Sequence, residues 1–515
     1  MPPQPSASKR APVVVIGAGP TGLSAAYHLG SQALLVEQAP RVGGWCRSIV
    51  DNGFTFDYAG HIMFSNDSYV HELYRLLLGE NVHWQDREAW IYSKGTYTRY
   101  PFQGSLYGLP PAVIKECIVG AIEARFGSIA GGPPPVTSRS EYAGPERRGM
   151  FEPLLADKAS SRTAAARRVR YGGADRRERQ AASPPQNFKE FIYKVWGAGI
   201  ARHFAIPYNE KLWAVPLEEM ETSWLGGRVP LPNLEEMIEG ALSPAPKPMG
   251  PNARFGYPLR GGFQALMDGF LPHLRGDLRL NSRVARISPT RRTATFDDGT
   301  TVRFDHLIST MPLPQLVALV GEEAPEDVQE AGKALKHVSV RCVNIGVGRP
   351  AVTEKHWIYY PEETVFHRIF VQGNASPHCN APGGFGLTCE ITYSPSKPLP
   401  CGGEDLIRRC IDDCIATGIL QADDPIWAAN QVDLPVAYVV YDHGRAENVE
   451  RIREWFASHN VILAGRYSEW EYYNSDHAFL AGRKAAQQVE ERRLASSQAP
   501  PAVVEKPSGS RARAG

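Results

Sequence analysis

The chain has 515 residues, which is too long for one ordinary domain, and its composition is that of a globular protein. With 43% hydrophobic and 22% charged residues, it can form a large core, which excludes a wholly disordered or fibrous protein. Lys and Arg (56) nearly balance Asp and Glu (55), so no overall field attracts nucleic acid or a membrane surface. Because the sequence has neither a run of about 20 apolar residues nor an apolar signal region, it predicts a cytoplasmic protein without a membrane span.

The eight cysteines indicate free thiols. They are scattered, and no CxxC pair occurs, so neither a disulfide framework nor a zinc site is expected. Cys410 and Cys414 lie one turn apart in a segment with helical periodicity, which favours ordinary helix packing. The sequence therefore predicts no metal.

A strand, a glycine turn, a helix and a second strand are predicted within residues 13–37. The apolar run VVVI precedes GAGPTG, a helix-like segment and a second apolar run that ends in an acid. Gly17 suits the tight turn, Gly19 a close backbone approach to a pyrophosphate, and Gly22 close packing of helix on strand. Amide groups at the start of the helix would bind the phosphates, and Glu37 would accept hydrogen bonds from the ribose. This unit predicts a dinucleotide site.

Two further glycine segments extend this pattern. Gly43 and Gly44 follow the acid in GGWCRS, and Gly465 and Arg466 follow a late strand-like run in VILAGRYSEW. The arrangement resembles the flavoprotein family that includes the amine oxidases, protoporphyrinogen oxidase and UDP-galactopyranose mutase. The resemblance implies that the first unit holds the adenosine and pyrophosphate of FAD, that the GG segment passes close to the cofactor, and that the late segment closes the flavin site.

The predicted fold class is α/β, with a discontinuous Rossmann-like FAD-binding domain, a helical domain and an antiparallel sheet domain for the substrate. The tract 128–186 is rich in Pro, Gly, Ala and Arg and is predicted to be a disordered insertion. The predicted boundaries are 1–100, 253–335 and 446–495 for the FAD-binding domain, 101–252 for the helical domain with its insertion, 336–445 for the sheet domain, and 496–515 for a disordered tail.

Six further stretches resemble UDP-galactopyranose mutase, in particular its eukaryotic-type branch. They are YAGHIMFS, RYPFQ, PYNEKLWAVP with SWLGGRVPLPN, YYPEETVFHRIFVQGNASP, VYDHGRAENVERIREWF and GRYSEWEYYNSDHAF. The resemblance implies an isomerase that interconverts the pyranose and furanose forms of a UDP-sugar, with N5 of reduced FAD as the nucleophile. NAD(P)H is the reductant that we expect.

The resemblance also implies roles for individual residues. The diphosphate leaving group needs fixed cations, and Arg368 and Arg466 match the family's two diphosphate-binding arginines. His61 lies with Gly60 in the family's histidine loop, so His61, Arg368 and Arg466 are expected to be catalytic. The expected FAD contacts are Gly17, Gly19, Gly22, Glu37, Gly43, Gly44, Gly60, His61, Gly465 and Asp476. The expected substrate contacts are Tyr100, Gln103, Asn233, Tyr359, Arg368, Arg466 and Tyr472.

Two segments depart from the family's pattern. Ala375 stands where a tyrosine is expected, and His443, Gly444 and Arg445 replace a YGYP-like segment. Two hydroxyls are therefore expected to be missing near the diphosphate and the sugar, which leaves the identity of the sugar open.

The alternatives are an FAD-dependent oxidase or desaturase of the amine oxidase type, and a non-enzymatic scaffold whose arginine-rich insertion recruits a partner. No nucleic-acid or membrane partner is expected, and a homo-oligomer is compatible with the sequence.

Overall fold

A computed structural model describes residues 9–127, 184–225, 233–244 and 253–498. Residues 128–183 of the predicted insertion and 499–515 of the predicted tail lie outside this description. The α-helices of the described residues are α1 (Pro20–Leu29), α2 (Ser68–Leu78), α3 (Pro111–Phe126), α4 (Phe188–Ile200), α5 (Ile206–Trp213), α6 (Leu234–Leu242), α7 (Gln264–Asp268), α8 (Leu313–Val320), α9 (Glu326–Ala334), α10 (Gln372–Ala375), α11 (Gly403–Ala416), α12 (Arg445–Ser458) and α13 (Ser475–Gln498). The strands are β1 (Lys9–Ile16), β2 (Ala33–Val36), β3 (Ser48–Asp51), β4 (Phe54–Asp57), β5 (His83–Asp86), β6 (Ala89–Ser93), β7 (Thr96–Arg99), β8 (Arg254–Tyr257), β9 (Asp277–Arg279), β10 (Val284–Ser288), β11 (Thr293–Phe296), β12 (Thr301–Ser309), β13 (His337–Val347), β14 (Trp357–Tyr359), β15 (Arg368–Phe370), β16 (Phe385–Tyr393), β17 (Ile426–Val439) and β18 (Val461–Leu463).

The first large sheet has seven strands in the order β10-β11-β12-β1-β2-β9, with β18 paired to β12. β1 is parallel to both of its neighbours, β2 and β12. Val13 and Val15 face one core, while Val14 and Ile16 face another. A central parallel strand is buried on both faces, which is why VVVI is a continuous apolar run and does not alternate with polar residues.

Two helices cover one face of this sheet in close contact. Ser24 in α1 donates from its Oγ to the carbonyl oxygen of Phe479 in α13, at 2.7 Å. A Cβ on Gly482 would lie 2.3 Å from the carbonyl oxygen of Thr21. Helix α13 therefore packs on α1, beside the glycine turn.

The second large sheet has the order β17-β13-β16-β15-β14-β6-β7 and is antiparallel except for the β14–β6 pair. α11 covers one face, where Cys410 and Cys414 pack with Cys389 of β16. Glu390, the next residue of β16, faces the opposite side because side chains alternate along a strand. The predictions that the cysteines are free thiols and that Cys410 and Cys414 lie in a helix are confirmed.

Helices α3 and α4 pack with their backbones in contact. A Cβ on Gly197 would lie 2.1 Å from the carbonyl oxygen of Gly120, and one on Gly199 would lie 2.1 Å from that of Glu116. The contacts run in opposite directions along the two helices, so the pair is antiparallel. The α/β fold class predicted from the sequence is confirmed. Within the described ranges, no helix has both the length and the apolar character needed to cross a membrane.

Candidate functional site

A cavity of about 1360 Å³ lies between the two large sheets and α6. The glycine turn after β1, the loop after β4, strands β14 to β17 and the segment between β18 and α13 all border it. Ligand pockets commonly enclose roughly 300–1,000 Å³. The cavity is therefore large enough for a dinucleotide and a second ligand.

One end of the cavity carries the features of a dinucleotide site. The amide of Gly17 donates to the carbonyl oxygen of Val36 at 2.8 Å and closes the turn before α1. A Cβ on Gly22 would lie 1.8 Å from the carbonyl oxygen of Gly17, so only glycine lets α1 begin here. The carboxylate of Glu37 borders the cavity and accepts from the amides of Ala18 and Ala39, at 2.8 and 2.9 Å. The amino end of α1 and a carboxylate thus face one space, as pyrophosphate and ribose require.

Two other glycine segments converge on the same helix end. Gly44 has a φ of +55°, and its Cβ would lie 3.2 Å from the Cα of Gly19. Gly465 has a φ of +84°, and its Cβ would lie 2.3 Å from Oγ1 of Thr21. Gly19, Gly44 and Gly465 border a space, here called the FAD cradle, and side chains at these three positions would fill it. Together with Glu37, it fits the adenosine diphosphate part of FAD.

The loop after β4 brings His61 to the middle of the cavity. Its Nδ1 lies 2.8 Å from the carbonyl oxygen of Ala59, and its ring stacks on Phe263 at 5.1 Å. Burial is the largest cause that lowers the pKa of His61, to about 4. The ring is therefore neutral at pH 7, and its Nδ1–H donates to Ala59, which leaves Nε2 as an acceptor.

A buried ion pair joins this loop to the second sheet. Glu390 is fully buried, and its Oε2 lies 2.5 Å from Nη2 of Arg368. Its Oε1 accepts from the amide of Gly60 at 3.1 Å. Arg368 also donates to the hydroxyl of Tyr438 at 3.2 Å. Burial opposes the charge of Arg368, but Glu390 and then the nearby tyrosines raise its pKa well above the usual value, so this arginine is a compensated cation.

The second arginine is held differently. Arg466 donates to the carbonyl oxygens of Tyr473 and Ala437, both at 2.9 Å. Its guanidinium lies 4.7 Å from the ring of Tyr472 and 5.1 Å from that of Tyr438. Within the described residues, no carboxylate lies within 4.0 Å of it. Arg466 therefore presents an uncompensated positive charge to the cavity.

The far end of the cavity is aromatic and polar. Arg87 donates to the hydroxyl of Tyr359 at 2.7 Å, and the ring of Tyr359 lies 5.2 Å from that of Tyr100. Gln103 and Asn233 border the same end. Asn233 also caps α6, because its Oδ1 accepts from the amide of Glu235 at 3.0 Å.

The charges around the cavity favour an anionic ligand. Arginines outnumber acids among its lining residues, which include Arg47, Arg87, Arg283, Arg368 and Arg466 against Glu37, Glu236 and Glu390. Planar guanidinium groups bind phosphate oxygens well.

The described residues bring together no group of three or more His, Cys, Asp or Glu that could hold a metal ion.

Comparisons with known proteins agree with a flavin site. Residues 20–377 match the family described as flavin containing amine oxidoreductase. The chain belongs to this family. A solved structure of reduced UDP-galactopyranose mutase is 27% identical, with a TM-score of 0.79 and 94% of each chain covered.

Two other solved structures show the same fold at lower identity. A putrescine oxidase bound to putrescine is 15% identical, with a TM-score of 0.59, and the match covers 94% of this chain and 100% of that one. A CLA-producing fatty acid isomerase from P. acnes is 14% identical, with a TM-score of 0.58 and coverage of 94% and 99%. Membership of the flavin-containing family implies an FAD cofactor.

Most of the residues that the sequence singled out border this same cavity. Those that line it are Gly17, Gly19, Glu37, Gly44, Gly60, His61, Tyr100, Gln103, Asn233, Tyr359, Arg368, Gly465, Arg466 and Tyr472. Gly22 and Gly43 lie behind the lining. Gly22 allows close backbone packing against Gly17, whereas Gly43 has a φ of +120° and packs against the side chains of Arg47 and Gln264. Asp476 is buried in the first turn of α13, with its Oδ1 3.0 Å from Nδ1 of His477, which does line the cavity.

Sequence reasoning missed three residues of the cavity wall. Arg87 follows β5 without a recognisable motif, and Tyr438 lies at the end of a long strand. Glu390 did carry a signal, since a single acid in the apolar run GLTCEITY is unusual for a buried strand. Its partner could not be read from the sequence because Arg368 faces it only through the pairing of β15 with β16.

The two departures from the family's pattern do not border the cavity. Ala375 is buried in α10, and its carbonyl oxygen accepts from Gln85 at 2.9 Å. Arg445 begins α12 and is also buried away from the lining. The expectation that two hydroxyls are missing near the diphosphate and the sugar stays a prediction, while Tyr359, Tyr438 and Tyr472 line the cavity. Both departures therefore lie in segments behind the cavity wall.

Proposed function

We propose that this flavoprotein is an isomerase of the UDP-galactopyranose mutase type, which interconverts the pyranose and furanose forms of a UDP-sugar. The observation that carries the proposal is the pairing of Arg368 and Arg466 in one cavity with the FAD cradle and His61. The likeness to the reduced UDP-galactopyranose mutase structure supports it.

Different side chains of the cavity would bind different parts of such a substrate. Arg368 and Arg466 would hold the two phosphates, and the uncompensated charge of Arg466 would take up the negative charge that develops on the leaving diphosphate. Tyr100, Gln103 and Asn233 would bind the uridine with one aromatic surface and two amides. This leaves the sugar beside His61.

Reduced FAD, when bound, supplies the nucleophilic nitrogen that such a ring interconversion requires. The cavity wall offers no competing thiolate, because burial, and then the nearby Asp57, raises the pKa of Cys46 to about 12. Neutral His61 would accept a hydrogen bond through Nε2, since its Nδ1–H is held by Ala59. NAD(P)H is the proposed reductant.

The family match favours a second candidate, an FAD-dependent amine oxidoreductase. Aromatic rings often bind ammonium groups. Here, however, the guanidinium of Arg466 already lies against the rings of Tyr438 and Tyr472. A cationic amine would meet Arg87 and the uncompensated charge of Arg466, and like charges would weaken its binding. The charge of the cavity therefore favours the UDP-sugar.

The experiment that tests the proposal compares oxidised and reduced protein. Under anaerobic conditions, protein reduced with dithionite or NAD(P)H is expected to convert UDP-galactofuranose to UDP-galactopyranose over many turnovers, while oxidised protein is inactive. The Arg466→Ala variant serves as the control for a background reaction. If reduced protein is inactive on every UDP-hexose while oxidised protein releases peroxide from an amine, the amine oxidoreductase replaces the mutase.

A further inference from the structure

A buried arginine lies behind the aromatic wall of the cavity. Arg445 is 6% exposed, and its Nε donates to the carbonyl oxygen of Trp470 at 3.0 Å. Its Nη2 donates to the same oxygen and lies 2.7 Å from Oε1 of Glu471. The guanidinium also lies 4.2 Å from the centre of the Tyr441 ring. Arg445 is therefore fixed by three partners, and none of them lines the cavity.

Tyr441 extends this set of contacts to the chain that does line the cavity. Its hydroxyl donates to Oε2 of Glu471 at 2.7 Å and accepts from the amide of Tyr472 at 2.8 Å. Burial, and then Glu471, raises the pKa of Tyr441 to about 12. The hydroxyl is therefore protonated at neutral pH and serves as donor and acceptor at once.

The segment held by these contacts has a demanding conformation. Trp470 is fully buried and has a φ of +56°, which is uncommon for a residue with a Cβ. Two donor atoms of Arg445 converge on its carbonyl oxygen, at the point where the chain turns back towards the cavity. Such a conformation persists only where the surrounding contacts over-determine it.

Two groups just beyond this turn hold Arg466. The ring of Tyr472 stacks on that of Tyr438 at 5.9 Å and 11°, and the guanidinium of Arg466 lies against both rings. The carbonyl oxygen of Tyr473 accepts from Nη1 of Arg466. The position of residues 470–473, together with the carbonyl oxygen of Ala437, therefore sets where the charge of Arg466 lies.

We propose that Arg445, Glu471 and Tyr441 are positioning residues that fix residues 470–473 and thereby aim Arg466 at an anionic ligand. The network itself follows from the contacts, and only the identity of the ligand, a nucleoside diphosphate, rests on the proposed function. Arg445 belongs to the segment in which the sequence indicated a missing hydroxyl. The proposal gives this residue a positioning role behind the cavity wall.

The Tyr441→Phe variant of the FAD-bound protein tests this network, because it removes both hydrogen bonds of the hydroxyl and keeps the ring. We expect UDP affinity to fall about 3- to 10-fold with FAD content unchanged. Tyr97→Phe is the matched control, since the Tyr97 hydroxyl donates to the carbonyl oxygen of Thr417, away from the cavity. Should Tyr441→Phe fold poorly, Glu471→Gln probes the same link and is expected to weaken UDP binding in the same range. Unchanged UDP affinity in a folded variant overturns the proposal.

A double-mutant cycle separates positioning from a general loss of stability. If Tyr441 acts through Arg466, the effect of Tyr441→Phe on UDP affinity disappears in the Arg466→Ala background. Equal effects in both backgrounds would show that Arg466 is not the group being positioned and would overturn the proposal.

A crystal structure of Tyr441→Phe provides a readout that needs no UDP. The proposal expects the Tyr472 ring to leave its stack on Tyr438, and an unchanged stack contradicts it. If the wild-type protein does not bind UDP, the proposed function fails, and this structural result alone decides the network.

Discussion

At the scale of single residues, the two arginines of the cavity differ in how their charge is balanced. Arg368 is paired with the fully buried Glu390, whereas Arg466 is held by carbonyl oxygens and aromatic rings. Removing one partner of a buried pair leaves an uncompensated charge, which costs more than the pair itself contributes. The same substitution at the two sites should therefore have different consequences.

We predict that Arg466→Ala weakens UDP binding about 10- to 150-fold, because a hydrogen bond to a charged group contributes about 1.5–3 kcal/mol. Arg368→Ala should weaken UDP binding similarly and also lower the free energy of unfolding by about 3–5 kcal/mol, since Glu390 stays buried without its partner. Calorimetric titration with UDP and denaturant unfolding measure the two effects.

Two further variants make this comparison decisive. Adding Glu390→Gln to Arg368→Ala should restore part of the lost stability but not the UDP affinity. Arg349→Ala is the control for removing the arginine partner of a carboxylate away from the ligand, because Arg349 pairs with Asp424 outside the cavity. Equal stability of Arg368→Ala and Arg466→Ala would contradict the assignment of Arg368 as the compensated cation.

At the scale of elements, the start of α1 depends on contacts that only glycine allows. A Cβ on Gly22 would lie 1.8 Å from the carbonyl oxygen of Gly17, which belongs to the turn that faces the cavity. The helix would have to move away from the turn, and its free amides would move with it. The FAD site and the packing of α1 on β1 are therefore linked.

Gly22→Ala is expected to weaken FAD binding about 5- to 150-fold, in line with the roughly 1–3 kcal/mol that overpacking costs. The ratio of flavin to protein absorbance after dialysis measures this. Gly402→Ala is the matched control, because a Cβ at the amino end of α11 meets no atom within 4 Å. Full FAD content in Gly22→Ala would show that α1 can shift without disturbing the cradle.

At the scale of the whole molecule, the first sheet draws strands from three separated parts of the chain, while α3 and α4 form an antiparallel pair. The end of α3 at Phe126 and the start of α4 at Phe188 belong to this pair, and residues 127–187 connect them. The composition of that connection predicts that it adds little to the core.

Replacing residues 130–183 with a short Gly/Ser linker is therefore expected to leave FAD content unchanged and the thermal midpoint within about 2 °C, which corresponds to less than about 1 kcal/mol. Gly199→Ala is the destabilising comparison, because its Cβ would lie 2.1 Å from the carbonyl oxygen of Glu116. A large loss of flavin on linker replacement would show that the tract contributes to the fold.

The sequence alone determined the features that depend on residues close together in the chain. The spacing of Gly17, Gly19 and Gly22 between two apolar runs predicted the turn and helix, because local backbone geometry admits few residues there. The likeness of short motifs led to His61, Arg368 and Arg466, which share one cavity.

Only the tertiary structure decided what these side chains contact. Glu390 meets Arg368 through strand register, and Arg445 reaches Glu471 through the packing of α12 on the turn before α13. The placement of Ala375 and Arg445 behind the cavity wall has the same origin, because a motif does not say which face of an element is buried. Burial and charge balance depend on residues far apart in the chain, so no local pattern contains them.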